Sequence, residues 1–162
     1  MFPYIVLGVA GINLLAAILA MALDWLTETV EGVTFGGNIW QLDFPDATLS
    51  TAKAFLVLSF VATGVTTLLC ACAIMRKVSW IATAVGNFAA MVFSTISFAA
   101  FVSLDFTKVL PGVNYGAGFG LQVLVCVLGL LGTILAVMAY KQNESSTAQS
   151  QNQNANHQTN YK

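Results

Sequence analysis

The sequence predicts an all-α membrane protein, a four-transmembrane-helix bundle with a small extracellular β-hairpin in its first loop. The composition gives the first reason: 57% of the 162 residues are hydrophobic and only 8% are charged, against roughly 25% charged in soluble domains. The second reason is that residues 1–23, 54–75, 78–104 and 109–140 contain no charged side chain. Each stretch can supply the roughly 20 apolar residues that a bilayer requires.

The four spans are expected at about 3–23, 53–75, 78–103 and 113–140, within one transmembrane domain over 1–141. Only Arg76 and Lys77 separate the second span from the third, so these two helices must form a tight antiparallel hairpin. The long loop, about 24–52, joins the first two spans.

The basic residues predict the orientation. Arg76, Lys77 and Lys141 share one side with the amino terminus, whereas Lys53 and Lys108 lie on the other. Because basic residues are enriched in cytoplasmic loops, both termini are expected in the cytoplasm. The expected location is the plasma membrane, with the loop 24–52 outside.

The two ends of the chain raise separate points. The pattern at Ala20 to Ala22 is typical of a signal-peptidase site, which leaves cleavage of the first span as an alternative; the preceding residues lack the usual Lys or Arg. The tail 142–162 is polar and has no periodicity. It is expected to be a disordered cytoplasmic segment.

The first loop contains a predicted β-hairpin. Residues 30–35 and 39–44 are rich in β-forming side chains, and they bracket the glycine pair 36–37, which suits a two-residue turn. In that register Val33 faces Trp40. Trp40 then has two interpretations: it anchors the hairpin on the helix ends, or it is exposed for a partner.

Three amides lie within the predicted spans. Asn13 and Asn87 are expected at similar depth, where they would bond across a helix interface, and Gln122 lies nearer the outer surface. A polar conduit is the alternative interpretation. Gly116 and Gly120 lie on one face at the start of the fourth span, which favours close packing within the bundle or, alternatively, against a second copy.

The cysteines are expected to form no disulfide. Cys70 and Cys72 lie near the inner end of the second span and Cys126 lies within the fourth, so none is outside the cell, where disulfides persist. Cys70 and Cys72 are either small apolar helix residues or juxtamembrane palmitoylation sites.

Several function classes are disfavoured by the same sequence. Apart from Lys53 at the outer boundary of the second span, no predicted span contains His, Lys, Arg or a carboxylate that would activate a nucleophile or relay a proton, so no enzyme, cofactor or metal site is expected. The formal net charge of −1 gives no basic surface for nucleic acid.

Two short motifs resemble a known family. The run Tyr115, Gly116, Ala117, Gly118, Phe119, Gly120 is similar to the start of the last span in the amastins, surface proteins of kinetoplastid parasites. Ile39 and Trp40 lie where the amastin signature has Leu-Trp, and the topology more distantly resembles the claudins. The two cysteines that accompany this tryptophan in those families are absent here.

The resemblance implies a non-enzymatic surface protein that acts in membrane organisation, adhesion or contact between parasite and host, with lipids among its ligands. The implied partners are the bilayer and either membrane proteins, a host surface or a second copy of the chain. Two other classes fit the same composition: an accessory subunit of a channel or transporter, and a claudin-like junctional protein.

Overall fold

The computed structural model describes residues 2–30, 33–42, 46–104 and 113–159. It contains four helices that are long and apolar enough to cross a membrane. These helices are α1 (Phe2–Ala22), α2 (Ala47–Ile74), α3 (Trp80–Ser103) and α4 (Ala117–Thr159). The predicted four-helix architecture is confirmed, and the chain is a multi-pass membrane protein.

The helices are arranged in a ring. α1 packs against α2 and α4, and α3 packs against the same two helices. We call the end of the bundle that contains Arg76 and Lys77 the turn end, and the opposite end the sheet end. α1 and α3 begin at the turn end, whereas α2 and α4 begin at the sheet end.

A side-chain cap fixes the start of α2 at Ala47, earlier than the predicted residue 53. Asp46 precedes the helix, and its Oδ1 accepts a hydrogen bond of 2.6 Å from the backbone N–H of Thr48. Such a bond satisfies one of the free N–H groups of a first turn. The same bond holds the pKa of the Asp46 carboxyl below its usual value. Lys53 therefore lies inside α2, and its Nζ donates to the carbonyl oxygen of Leu42 at 2.7 Å.

The turn between α2 and α3 is closed by backbone hydrogen bonds. The N–H of Lys77 donates to the carbonyl of Cys72, and that of Arg76 donates to the carbonyl of Ala73, both at 3.0 Å. This pattern is typical of a helix end whose next residue has a left-handed backbone, and Arg76 has φ 58°. Ser79 then caps α3 through its hydroxyl.

Three antiparallel strands cover the sheet end in the order β2-β1-β3. They are β1 (Asp24–Val30), β2 (Val33–Asn38) and β3 (Val113–Tyr115). The predicted hairpin in the first loop is therefore present, and β3 from the second loop extends it. Because β1 lies in the centre, it pairs along both of its edges.

The register of the hairpin differs from the prediction. Gly36 and Gly37 lie inside β2, opposite Thr27 and Leu26, and Val33 pairs with Val30 rather than with Trp40. The predicted partner strand 39–44 does not form: residues 39–41 are in a turn, and 43–45 lie outside the described residues. The segment that starts at Asp24 pairs with β2 instead, because as β1 it forms backbone hydrogen bonds with both β2 and β3.

The fourth helix continues beyond the predicted span. The sequence predicted disorder from Gln142, whereas the structure has helix through Thr159. Adding a residue to a formed helix costs far less than starting one, and α4 is already formed at Tyr140. The hydroxyls of Ser146 and Thr147 also donate to the carbonyls four residues earlier, at 2.9 Å.

Candidate functional site

The centre of the sheet end is Trp25. Its side chain is fully buried, and its Nε1 donates to the carbonyl oxygen of Ala20 at 2.7 Å. The indole meets the ring of Phe101 edge-on, with centroids 4.8 Å apart, and that of Phe119 at 6.1 Å. Trp25 lies just after the first predicted span, yet it is in the core, where it joins β1 to α1, α3 and α4.

The amastin-like run at the start of α4 packs around this tryptophan. The N–H of Gly116 donates to the carbonyl oxygen of Trp25 at 2.8 Å, and the ring of Tyr115 stacks on that of Phe119, with centroids 4.5 Å apart. A Cβ atom on Gly118 would lie 2.6 Å from the Cδ1 atom of Trp25. A Cβ on Gly120 would meet nothing within 4 Å, so only part of the run makes close contacts.

Ile39 and Trp40 have different environments. Ile39 is fully buried in the same cluster as Trp25, whereas Trp40 is 42% exposed. The Nε1 of Trp40 donates to the carbonyl oxygen of Met21 at 3.0 Å, so its polar edge contacts the end of α1. Asn38 was not predicted from the sequence as a site residue, and its Nδ2 donates to the carbonyl of Ala22 at 2.8 Å. The sequence feature that could have identified Asn38 is its position two residues before Trp40, at the end of a strand.

A shallow groove of about 210 Å³ crosses the sheet. Gly36 and Gly37 of β2 and Val113 of β3 are among the residues that line it. Phe35 lines the groove and is 60% exposed. Glu28 adds one carboxylate to the lining. The groove offers an apolar surface with one negative charge.

The amides in the bundle are buried but do not bond to each other. The Nδ2 of Asn87 donates to the carbonyl oxygen of Thr83 at 3.1 Å, and a Cβ on Gly132 would touch the same amide group. Among the described residues, neither amide atom of Asn13 or Gln122 has a hydrogen-bond partner. The predicted bond between Asn13 and Asn87 is therefore wrong.

Asn13→Leu is expected to raise the free energy of unfolding by about 1 kcal/mol, because a buried amide without a partner is unfavourable. Leucine branches at the same atom and retains the shape.

Asn87→Leu should lower stability by about 0.6 kcal/mol, since it loses the bond to Thr83. Denaturation in mild detergent measures both. Because the two residues share no bond, the double variant should give the sum of the single effects; clear non-additivity would contradict this structure.

All three cysteines are free. Cys70 is fully buried and Cys72 is half-buried, so an acyl chain could reach Cys72 more readily. Acylation of either residue stays a prediction.

The described residues define a four-helix membrane protein whose first and second loops share one sheet. Within this part of the chain, no three His, Cys, Asp or Glu side chains are placed to hold a metal ion. Comparison with known proteins gives no match, either to a family model or to a curated protein.

Proposed function

We propose that this chain is a non-enzymatic, amastin-like surface protein of the plasma membrane, and that its sheet binds a partner in adhesion, host contact or membrane organisation. The observation that carries the proposal is the exposed aromatic pair on the sheet end, Phe35 and Trp40. Phe35 lies on β2, which is an edge strand of the described sheet, and Trp40 lies two residues after the end of this strand.

The edge position supports a role in recognition. Among the described strands, β2 has β1 as its neighbour on one side only, and the free side of an edge strand presents backbone N–H and C=O groups to an extended partner. The groove beside Phe35 supplies an apolar contact. Aromatic side chains often contribute most of the binding energy of such surfaces.

The local packing supports the amastin resemblance. Tyr115, Gly116, Gly118 and Phe119 pack around the buried tryptophan of β1, so the run that carries the resemblance is part of the core at the sheet end. The buried polar side chains of the described helices are amides and hydroxyls. These groups pack well between helices but lack a general base, which favours a non-enzymatic role.

The charges support an orientation with the turn end in the cytoplasm. Arg76 and Lys77 lie at the turn end, and Lys141 follows Tyr140 there. At the sheet end, the described basic residue is Lys53, which is bonded to the carbonyl of Leu42. Under the positive-inside rule this distribution directs the sheet outward, where a partner on another cell can reach it.

Phe35→Ser tests the proposal in cells that express the full chain. Because the side chain is mostly exposed, the variant should keep its melting temperature within about 2 °C, since a surface change is worth about 0.5 kcal/mol. Attachment of these cells to a layer of partner cells should fall at least tenfold. Thr34→Ala, a neighbouring exposed change on the same strand, is the matched control and should leave attachment unchanged.

Unchanged attachment by the Phe35 variant, at equal surface expression, would contradict the proposal. If the wild-type chain instead copurified in fixed ratio with a channel or transporter, the accessory-subunit interpretation would take its place.

A further inference from the structure

A second cleft lies at the turn end, on the opposite end of the bundle from the sheet. It has a volume of about 610 Å³ and is enclosed by the start of α1, the turn between α2 and α3, and α4. Its basic and aromatic lining side chains, which the argument below uses, are Tyr4, Arg76, Lys77, Trp80 and Tyr140. Two of them are basic, three are aromatic and none is acidic.

The positive charge of this cleft is not neutralised by the described residues. Arg76 and Lys77 are exposed, and neither forms an ion pair with a described acidic side chain. Glu144 is the one described carboxylate at this end; its Oε1 accepts a hydrogen bond of 2.9 Å from the Tyr140 hydroxyl. The described basic residues at this end are Arg76, Lys77 and Lys141, so they outnumber this one carboxylate.

The helix directions add to the positive potential. α1 and α3 both begin at the turn end, and the amino-terminal end of a helix carries a partial positive charge. Two carbonyls in the last turn of α2, those of Cys72 and Ala73, accept the N–H groups of Lys77 and Arg76. The cleft therefore combines two basic side chains with two helix starts.

The backbone of Arg76 offers a further observation. With φ 58°, it is the one non-glycine residue with positive φ among those described. Glycine is the usual residue at this position after a helix, because it adopts this conformation without steric conflict. Glycine at position 76 could form the same turn, so the turn does not require the guanidinium of Arg76.

We infer that this cleft binds the phosphorylated headgroup of an anionic phospholipid in the leaflet that faces the turn end. Basic pockets between the ends of transmembrane helices are suited to such headgroups. Trp80 and the two tyrosines suit the interfacial region of a bilayer. Ile5 and Ile81 lie next to the cleft and are about half exposed, so acyl chains can lie along α1 and α3.

The test uses the full chain in mild detergent, with native mass spectrometry as the readout. Short-chain phosphatidylinositol 4-phosphate should bind saturably, one molecule per chain, while phosphatidylcholine of the same chain length should not. The double variant Arg76→Gly, Lys77→Gln should bind about thirtyfold more weakly, since each basic residue near a membrane surface contributes about fivefold. Lys141→Gln removes a charge from the same end but outside the lining, and should change binding less than threefold.

The variants separate binding from folding. Because glycine favours the backbone of residue 76, Arg76→Gly should melt at or above the wild-type temperature. Unchanged lipid binding by the double variant would overturn the inference. The deacylated headgroup, glycerophosphoinositol 4-phosphate, should bind at least tenfold more weakly than the lipid; equal binding would assign the cleft to a soluble phosphate instead. The result does not depend on the proposed role of the sheet, which lies at the other end.

Discussion

Trp25→Ala is expected to lower the free energy of unfolding by about 3 to 5 kcal/mol, the usual cost of truncating a fully buried large aromatic residue. The side chain is completely buried, and its ring packs against Phe101 and Phe119. The variant also loses the hydrogen bond from Nε1 to Ala20. Denaturation in detergent, followed by tryptophan fluorescence or circular dichroism, measures the loss.

Trp40→Ala is the matched control for this prediction. It removes the same side chain from the same end of the bundle, but Trp40 is 42% exposed and makes one described hydrogen bond to α1. Its expected cost is about 1 kcal/mol. A larger loss from Trp40 than from Trp25 would contradict the packing described for the sheet end.

Gly118→Ala is expected to cost about 1 to 3 kcal/mol, because it overfills a tightly packed contact. The added Cβ would lie 2.6 Å from the carbonyl oxygen of Leu23 and 2.6 Å from the Cδ1 of Trp25. The first is a backbone atom and the second belongs to a buried ring, so neither moves away easily. The expected result is a lower melting temperature together with a changed tryptophan fluorescence spectrum.

Gly120→Ala tests whether any alanine at the start of α4 has this effect. A Cβ at Gly120 meets nothing within 4 Å, and alanine favours a helix over glycine by up to about 1 kcal/mol. This control should be neutral or slightly stabilising. Equal destabilisation by the two changes would show that the contact with Trp25 is not the cause.

The sequence predicted the helices well because charge and hydropathy act locally along the chain. Gaps between charged residues placed three of the helix starts within a few residues of their observed positions. The start of α2 was placed late, because its first turn is polar and depends on the cap at Asp46. The end of α4 was missed for a related reason: hydropathy reports the membrane boundary and not the end of a helix.

The sheet was harder to predict because strand pairing is not local. Gly36 and Gly37 form the strongest turn signal in the first loop, yet they lie within β2. The register depends on β1, which also pairs with β3 about 90 residues further along the chain. A three-residue strand has too little pattern to be recognised before its partner is known.

The buried side chains show a second limit of the sequence. Counting residues estimates the depth of Asn13 and Asn87 but not the direction in which each side chain points. Both are buried as a bundle position requires, yet they do not bond to each other. Among the tryptophans, the sequence indicated a role for Trp40, whereas Trp25 is the one that occupies the core. A position near a helix end does not show whether a ring lies at the membrane interface or is buried in the bundle.

The pairing of β1 with β3 makes the bundle mechanically asymmetric. β1 belongs to the connection between α1 and α2, and β3 to the connection between α3 and α4, so backbone hydrogen bonds fasten the two helical pairs together at one end. At the other end, α2 and α3 are joined by their short turn, while α1 and α4 are held by side-chain packing. The sheet end is therefore tied across the bundle by main-chain hydrogen bonds, whereas the contact of α1 with its neighbours at the turn end depends on a cluster of buried side chains that includes Val6, Cys70 and Ala136.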